Sequence, residues 1–420
     1  MRESTQNGNV RSDKATYLSR LHPYPAMVAD ELARSLVARY VPKNAKVLDP
    51  FCGSGRLLAA AEDASLRVGI DANPLAWLLT RAKFANSNRL RIQRIIAGLK
   101  KAQDATPRTG YAIHTGRKVA WFSRGVAQEL NRIVHWLNGL RLAESEKILV
   151  ASALSATVRE VSFAREQGWK LHRLSADARH QFRPCPWERF EKRLNYCLRE
   201  MSSEAAAGNG RVLIELANAK SLGAKGRIAY SAGLFDVVLT SPPYGDSQST
   251  VQYGAASSLC LSVISRLNGF SHLAVSGRSI DNACLGGSEQ QSFPLLNMKK
   301  YWAGSPDNRF GKAISKFLSD YDEVCGSIAR KLKPGGKAIF VVGRRSTGGY
   351  RLKLDQFTID CLLKRGFDLV CTEERELHHK HTPRVVNRFA RDPARKSTAS
   401  ARVLTMNSEI VVVMKKRGGA

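Results

Sequence analysis

Acidic residues are the scarce charges in this 420-residue chain: 36 Asp and Glu stand against 66 Lys and Arg, a formal net charge of +30. The imbalance points to an anionic partner, with long-range attraction to a phosphate backbone as the economical explanation. A ribosomal or membrane surface would attract the same total charge. The eight cysteines (Cys52, Cys185, Cys197, Cys260, Cys284, Cys325, Cys361 and Cys371) include no CxxC pair, so they suit neither a zinc site nor a small disulfide framework. His378, His379 and His381 cluster without cysteines at ligand spacing, and no metal is expected. No apolar run reaches the roughly 18 residues of a spanning helix, and the first residues carry no hydrophobic signal segment. A soluble cytoplasmic protein without a membrane partner is expected. Internal repeats and heptad runs are also missing.

What is present is an ordinary apolar fraction of 43%, in a chain long enough for one large α/β domain with insertions or for two domains. Residues 26–40 carry apolar positions at helical spacing. A short strand, Ala45 to Asp49, enters the loop Pro50-Phe51-Cys52-Gly53-Ser54-Gly55, and a helix follows in LLAAAEDA. A second strand, Leu66 to Ile70, ends at Asp71. Strand, glycine loop, helix, strand and terminal acid describe a βαβ unit whose ligand crevice lies at the carboxyl ends of the strands.

Long helical segments then interrupt this rhythm, at 119–139 and 143–167, and residues 86–200 hold 22 Lys/Arg against 10 Asp/Glu. Strands resume at Arg211 to Ile214 and at 235–240. Residues 255–310, with the Gly/Ser-rich centre SGRSIDNACLGGSEQQS, read as loop. A helix near 313–331 leads through Lys333-Pro334-Gly335-Gly336 to a strand, Lys337 to Val342, with later strands at Asp368–Cys371 and Ser408–Met414. The chain therefore divides into 1–85 (N-terminal segment and cofactor half of a core), 86–210 (basic helical insertion), 211–254 (catalytic half), 255–310 (loop-rich insertion) and 311–420 (remainder of the core).

The loop DPFCGSG lacks GxGxxG spacing and the Lys-Ser/Thr ending of a phosphate loop, so its ligand is expected to carry no pyrophosphate. Gly53 and Gly55 permit close backbone approach. Asp49 is placed for a charged amino group or adjacent backbone donors, and Asp71 for two ribose hydroxyls. Asn73-Pro74 turns the chain beside the adenine position. An adenosine with an amino-acid tail satisfies these elements, which makes S-adenosylmethionine the cofactor candidate, with S-adenosylhomocysteine as product. His22-Pro23-Tyr24-Pro25, held extended by its prolines, lays Tyr24 against that ligand or else is an ordinary start to the first helix.

Residues 240–244 read Thr-Ser-Pro-Pro-Tyr, directly after the apolar run Phe235 to Leu239. A stiff Pro-Pro turn at a strand end fixes carbonyls in space and sets an aromatic ring beside them. That suits a planar substrate carrying an exocyclic amino group, and in so basic a chain the planar substrate is a nucleic-acid base.

Together these motifs resemble those of the S-adenosylmethionine-dependent amino-methyltransferases of DNA, the bacterial modification enzymes that methylate cytosine N4 or adenine N6. The resemblance rests on Asp49 to Gly55, Asp71 and Ser241-Pro242-Pro243-Tyr244. It extends to the HPYP segment, to Leu332 through Gly343, and to Lys380–Pro383 and Met406–Glu409, covering about 22–83 and 212–415. It implies a Rossmann-like α/β methyltransferase fold with a mostly parallel central sheet, a helical insertion and a second, loop-rich insertion. It also implies double-stranded DNA as partner, a cognate restriction endonuclease, and nucleoid-associated activity in a bacterial or archaeal cell. Ser241 and the Pro242 carbonyl would accept hydrogen bonds from the amino group and Tyr244 would stack on a flipped base. Cys52 belongs to the glycine loop and is not a nucleophile. Serine at position 241 favours cytosine N4, with adenine N6 the close alternative; an RNA-base methyltransferase and a catalytically silent DNA-binding protein are further alternatives. The chain departs from the pattern at Asn218, where an acid is expected opposite the adenine amino group; the amide oxygen of Asn218 is the substitute acceptor. Arg89, Arg91, Arg94, Lys100 and Lys101 of the helical insertion, the 255–310 segment, Arg344-Arg345 and the basic end 371–420 are the expected DNA-facing elements.

Overall fold

A computed structural model describes residues 21–25, 27–106, 121–165, 171–201, 210–245, 253–287, 298–305, 308–347, 350–376, 385–390, 399–404 and 408–418. The strands are β1 (Lys46–Asp49), β2 (Leu66–Asp71), β3 (Arg211–Leu216), β4 (Phe235–Thr240), β5 (Leu332–Gly343), β6 (Ser346–Thr347), β7 (Tyr350–Arg351), β8 (Phe367–Glu376), β9 (Val385–Ala390), β10 (Ala399–Leu404) and β11 (Ser408–Lys416). Seven of them form one sheet in the order β3-β2-β1-β4-β5-β11-β8. The first five are parallel, and β11 runs antiparallel to both β5 and β8. The fold is thus mixed α/β with a mostly parallel sheet. The chain winds outward from β1 to β3 and then returns to β4, so strand order reverses between β1 and β4. A crevice opens at the carboxyl ends of strands at such a point, and both Asp49 and Ser241 lie there.

The helices are α1 (Asp30–Tyr40), α2 (Arg56–Ala60), α3 (Pro74–Lys83), α4 (Arg89–Ala105), α5 (Arg124–Asn138), α6 (Glu144–Val161), α7 (Ala176–Gln181), α8 (Pro186–Glu200), α9 (Ile228–Ser231), α10 (Tyr253–Ile264), α11 (Gly277–Ala283), α12 (Arg309–Lys331) and α13 (Leu354–Leu363). Alternate strand residues feed the two faces of the sheet. Val47, Val237, Leu239, Ile339 and Val341 pack with α1 and α2; Val238, Ala338, Phe340, Val342 and Val412 pack with α12 and α13. Burial on both faces explains why these strands read as unbroken apolar runs. Helices α3 to α6, α8 and α10 share a second core, so the helices of residues 86–210 pack together with α3 and α10 from outside that range. The central helix of this core, α6, is buried from Ile148 to Arg159 and ends at Val161, short of the expected 167.

Two further expectations change. The segment 255–310 contains helices: α10 is largely buried, and α11 crosses it where Gly254 and Gly277 meet. A Cβ on Gly254 would stand 1.9 Å from the Gly277 carbonyl oxygen, and the Gly254 amide donates to Asp281 at 2.8 Å. Glycine and serine here serve a close helix crossing, a use that their composition does not distinguish from loop. Gly254→Ala is expected to force the two backbones apart and destabilise the protein by about 2 kcal/mol, read as a lower urea midpoint; an unchanged midpoint would refute the close crossing. In β5, the expected Gly335-Gly336 turn is an irregularity within the strand, where pairing shifts between Phe235 and Val237 and Gly335 has φ +76°. Lys380–Pro383, Met406, the three clustered histidines and the stretch 246–250 lie outside the described residues.

Candidate active site

The glycine loop is built by strand-end hydrogen bonds. Cys52 N donates to the Ile70 carbonyl (3.0 Å) and Gly55 N to the Cys52 carbonyl (2.7 Å), tightening the turn against β2. Gly55 has φ +76°, and a Cβ there would stand 2.7 Å from Thr80 Cγ2, so neither conformation nor space admits a side chain. Half-buried Asp71 ties this loop to the start of α3. Its Oδ2 accepts from Gly53 N and its Oδ1 from Asn73 N, each at 2.8 Å.

Asp49 joins the loop to the second motif. Only 1% exposed, its Oδ1 accepts from Phe51 N at 3.1 Å and from Thr240 Oγ1 at 2.6 Å. Thr240 immediately precedes Ser241, so one carboxylate ties together two turns separated by 191 positions. Ser241 Oγ donates to the Val341 carbonyl (3.1 Å) and lies 3.2 Å from Tyr244 Oη. With the serine proton committed to a carbonyl, Tyr244 is the donor of that second bond, and the Ser241 oxygen is left as an acceptor. Tyr244 is only 6% exposed and belongs to the core beneath the sheet.

Burial pushes the Asp49 carboxyl up to about 7, with nearby Asp71 adding to it against the pull of the Thr240 and Phe51 donors. Burial likewise raises Asp71 to about 6, opposed by the Asn73 and Gly53 amides. Both carboxylates are thus costly to ionise and suited to a cationic ligand. In an unfolded chain such groups titrate near 3.9. Between that value and about 7 the folded protein binds more protons, so its stability falls as pH rises through this window and levels off above it. Asp49→Asn removes this titration, and urea midpoints measured from acid to neutral pH should vary less with pH in the variant. Parallel profiles would contradict the shift.

One pocket is lined by Tyr24, Pro25, Asp49, Pro50, Phe51, Cys52, Gly53, Ser54, Asp71, Asn73, Asn218 and all of Ser241 to Tyr244. Its empty space, mouth included, is about 1000 Å³. His22, Pro23, Gly55 and Pro74 do not line it. His22 is 4% exposed; its Nδ1 donates to the Pro23 carbonyl at 2.7 Å, and its Nε2 lies 3.7 Å from Cys260 Sγ. Burial lowers its pKa to about 4 and raises that of Cys260 to about 11. A neutral imidazole therefore accepts from a protonated thiol and holds this segment against α10. Pro74 occupies the first turn of α3, capped by Asn73 Oδ1 on Leu75 N (3.0 Å). The Asn73 amide nitrogen donates to Tyr24 Oη (3.2 Å) and Ser257 Oγ (2.9 Å), fixing the tyrosine at the pocket wall.

The departure at Asn218 has a physical reason. Its Oδ1 accepts from Lys220 N (2.9 Å) and its Nδ2 donates to the Ala283 carbonyl (2.8 Å). An aspartate would set a carboxylate oxygen against that carbonyl. Tyr253, Cys284 and Leu285, delivered by the helical crossing, also line the pocket, as do Arg56 and Arg345. Arg56 directly follows the glycine loop, a signal within reach of sequence reading; the other four come from distant segments. Expected DNA-facing arginines are in part committed elsewhere. Arg344 grips Asp355 through two bonds of 3.0 and 2.6 Å. Arg91 pairs with Glu146 at 2.9 Å, and Arg89 donates to the Leu198 carbonyl at 2.6 Å. Among the described residues no group of three or more His, Cys, Asp and Glu is arranged to hold a metal, and no helix is long and apolar enough to cross a membrane.

A family model described as DNA methylase, of the N6/N4 methyltransferase kind, matches residues 2–76. The chain is similar to the Type II methyltransferase M.MvaI of Kocuria varians, with 25% identity over 97% of this chain and 92% of that protein. Among solved structures, the rRNA methyltransferase aviRa from Streptomyces viridochromogenes aligns over 94% of this chain and 88% of its own, with 11% identity and a TM-score of 0.33. A precorrin 8W decarboxylase from Methanobacterium thermoautotrophicum aligns over 93% and 92%, with 11% identity and a TM-score of 0.31.

Proposed function

We propose that this chain is an S-adenosylmethionine-dependent DNA methyltransferase acting on an exocyclic amino group, cytosine N4 by preference. The observation that carries the reading is Asp49, which joins the glycine loop and the Ser-Pro-Pro-Tyr turn at one pocket. The DNA methylase match and the Kocuria relative support DNA methyltransferase activity and stop short of the base.

The residues present fit the cofactor. Gly53 has no side chain to exclude it, half-buried Asp71 offers lone pairs to ribose hydroxyls, and buried Asp49 suits its cationic end. Tyr24 stands over the loop, the place of its ring fixed by Asn73. When bound, S-adenosylmethionine supplies a methyl group already activated on a sulfonium.

The protein's task is then alignment. A base amino group is a weak nucleophile because its lone pair is delocalised into the ring. Ser241 Oγ, its own proton committed to Val341, accepts one amino hydrogen. The Pro242 carbonyl accepts the other, on a backbone stiffened by two prolines. Held so, the nitrogen is drawn toward the pyramidal form that the transition state requires. Tyr244 offers its ring to the flipped base, returning part of the unstacking cost. The new carbon–nitrogen bond would replace the methyl–sulfur bond, whose electron pair stays on S-adenosylhomocysteine, and the surplus amino proton would leave to water. Serine at position 241 supports cytosine, following the tendency of the family that the motifs resemble.

Transfer of labelled methyl from S-adenosylmethionine to duplex DNA, followed by nucleoside analysis, tests the reading. N4-methylcytosine is the expected product. N6-methyladenine would overturn the choice of base, and label found only in RNA would overturn the choice of substrate.

A further inference from the structure

Residues 163–165 and 171–183 form a basic arm after α6. Ala164 bridges Arg173 in antiparallel fashion, Arg165 N donates to the His172 carbonyl and Leu174 N to the Phe163 carbonyl, both at 2.8 Å. Phe163 N is anchored on the Trp121 carbonyl at 2.7 Å, and Ser175 caps α7 through Ala178 N. The whole stretch 163–183 holds five Lys/Arg against two Asp/Glu. Among the described residues, Arg165, Arg173 and Arg179 form no ion pair, whereas neighbouring Arg193 pairs with Glu160.

A chain of contacts at the end of α6 links the arm to the segment that leads into the pocket. Arg193 also donates to the Leu21 carbonyl at 3.0 Å, and Leu21 precedes the pocket residue Tyr24 by about 10 Å of extended chain at most. Arg159, at the end of α6, donates to the Arg165 carbonyl at 3.2 Å and so ties the arm to the same corner.

Building on the proposed function, we infer that this arm grips the phosphate backbone of duplex DNA next to the catalytic pocket, through Arg165, Arg173 and Arg179. The Arg173 guanidinium stands 6.0 Å from the Phe163 ring centroid, and its buried Nε has no hydrogen-bond partner among the described residues. Burial and nearby Arg179 both disfavour its charge. Arg173 and Arg179 sit on one braced stretch of backbone and form no ion pair among the described residues, so an incoming phosphate would neutralise both while accepting charge-assisted hydrogen bonds. A merely solvated face would intersperse acids; Asp177 is the one acid of the arm among the described residues, and it pairs with none of the three arginines.

The test compares the full-length protein with an Arg165→Ala, Arg173→Ala, Arg179→Ala variant and with the matching triple lysine variant, titrated with a short mixed-sequence duplex over a range of salt. The slope of log affinity against log salt should shrink by about 2 to 3 in the alanine variant, near 0.9 for each phosphate no longer held. The lysines should restore it, and affinity for S-adenosylmethionine should hold in all three proteins. Coincident slopes, or lysines that fail to restore the slope, would overturn the arm's role. Methyl transfer by the wild-type protein to the same duplex keeps the two ideas separable. Transfer with coincident slopes removes only the phosphate grip. A reduced slope without any transfer upholds the grip and removes the enzymatic reading.

Discussion

Tyr244→Ala should cost the protein fold stability and methyl transfer together, and Tyr244→Phe should cost little of either. The ring is nearly enclosed, so truncation to alanine opens a cavity in the core below the sheet, with a penalty of about 3–5 kcal/mol by analogy with other buried aromatics. Loss of base stacking, worth roughly 1–3 kcal/mol, should slow single-turnover transfer by about 5- to 150-fold at a temperature where the variant is folded. Phenylalanine keeps the ring and removes only the hydroxyl that donates to Ser241 at 3.2 Å. That bond is worth about 1 kcal/mol. Melting curves and single-turnover rates for both variants check the pair. A folded, fully active alanine variant would end the stacking role, and a phenylalanine variant as slow as alanine would shift the role to the hydroxyl.

Asp71→Asn should instead strike cofactor affinity. The carboxylate receives backbone amides on both oxygens, and an asparagine must point its NH2 at either Gly53 N or Asn73 N, donor against donor. The loop then loses an anchor while the ribose hydroxyls lose a charged acceptor. Two charge-assisted hydrogen bonds of about 1.5 kcal/mol each correspond to roughly a 150-fold weaker Kd. Calorimetric titration with S-adenosylmethionine reads this directly. The rate at saturating cofactor should change far less than the affinity, and an unaltered Kd would remove Asp71 from the ribose site.

The two acids illustrate what sequence reading reaches. Asp49 and Asp71 each end an apolar run beside a glycine loop, and a carboxylate at a strand end is legible because the strand pattern is local. Their partners are less accessible. The bond from Thr240 to Asp49 requires β1 and β4 to be neighbours, which depends on the order of strands in the sheet. His22 shares a motif with Tyr24, but the fold turns it away from the pocket toward Cys260, where burial keeps it neutral. Helix α10 is hidden because Gly254 signals a turn in isolation, while its use here is to let a second backbone approach. Arg89, Arg91 and Arg344 read as surface charge in the sequence and are exposed in the fold, and only the fold shows the carbonyl and carboxylates of the same chain that hold them.

The alternation of strands and helices, the glycine turn after β1, the acid ending β2 and the stiff Ser-Pro-Pro-Tyr turn after β4 are all legible in the amino-acid sequence. Each arises from the conformational limits of a few adjacent residues. That Asp49 links the two turns and that Asn218 is held by the Ala283 carbonyl follow from the packed fold alone. Those outcomes depend on groups far apart in the chain being desolvated together, and the cost of burying a charge or leaving a polar group unmatched is set only once they meet.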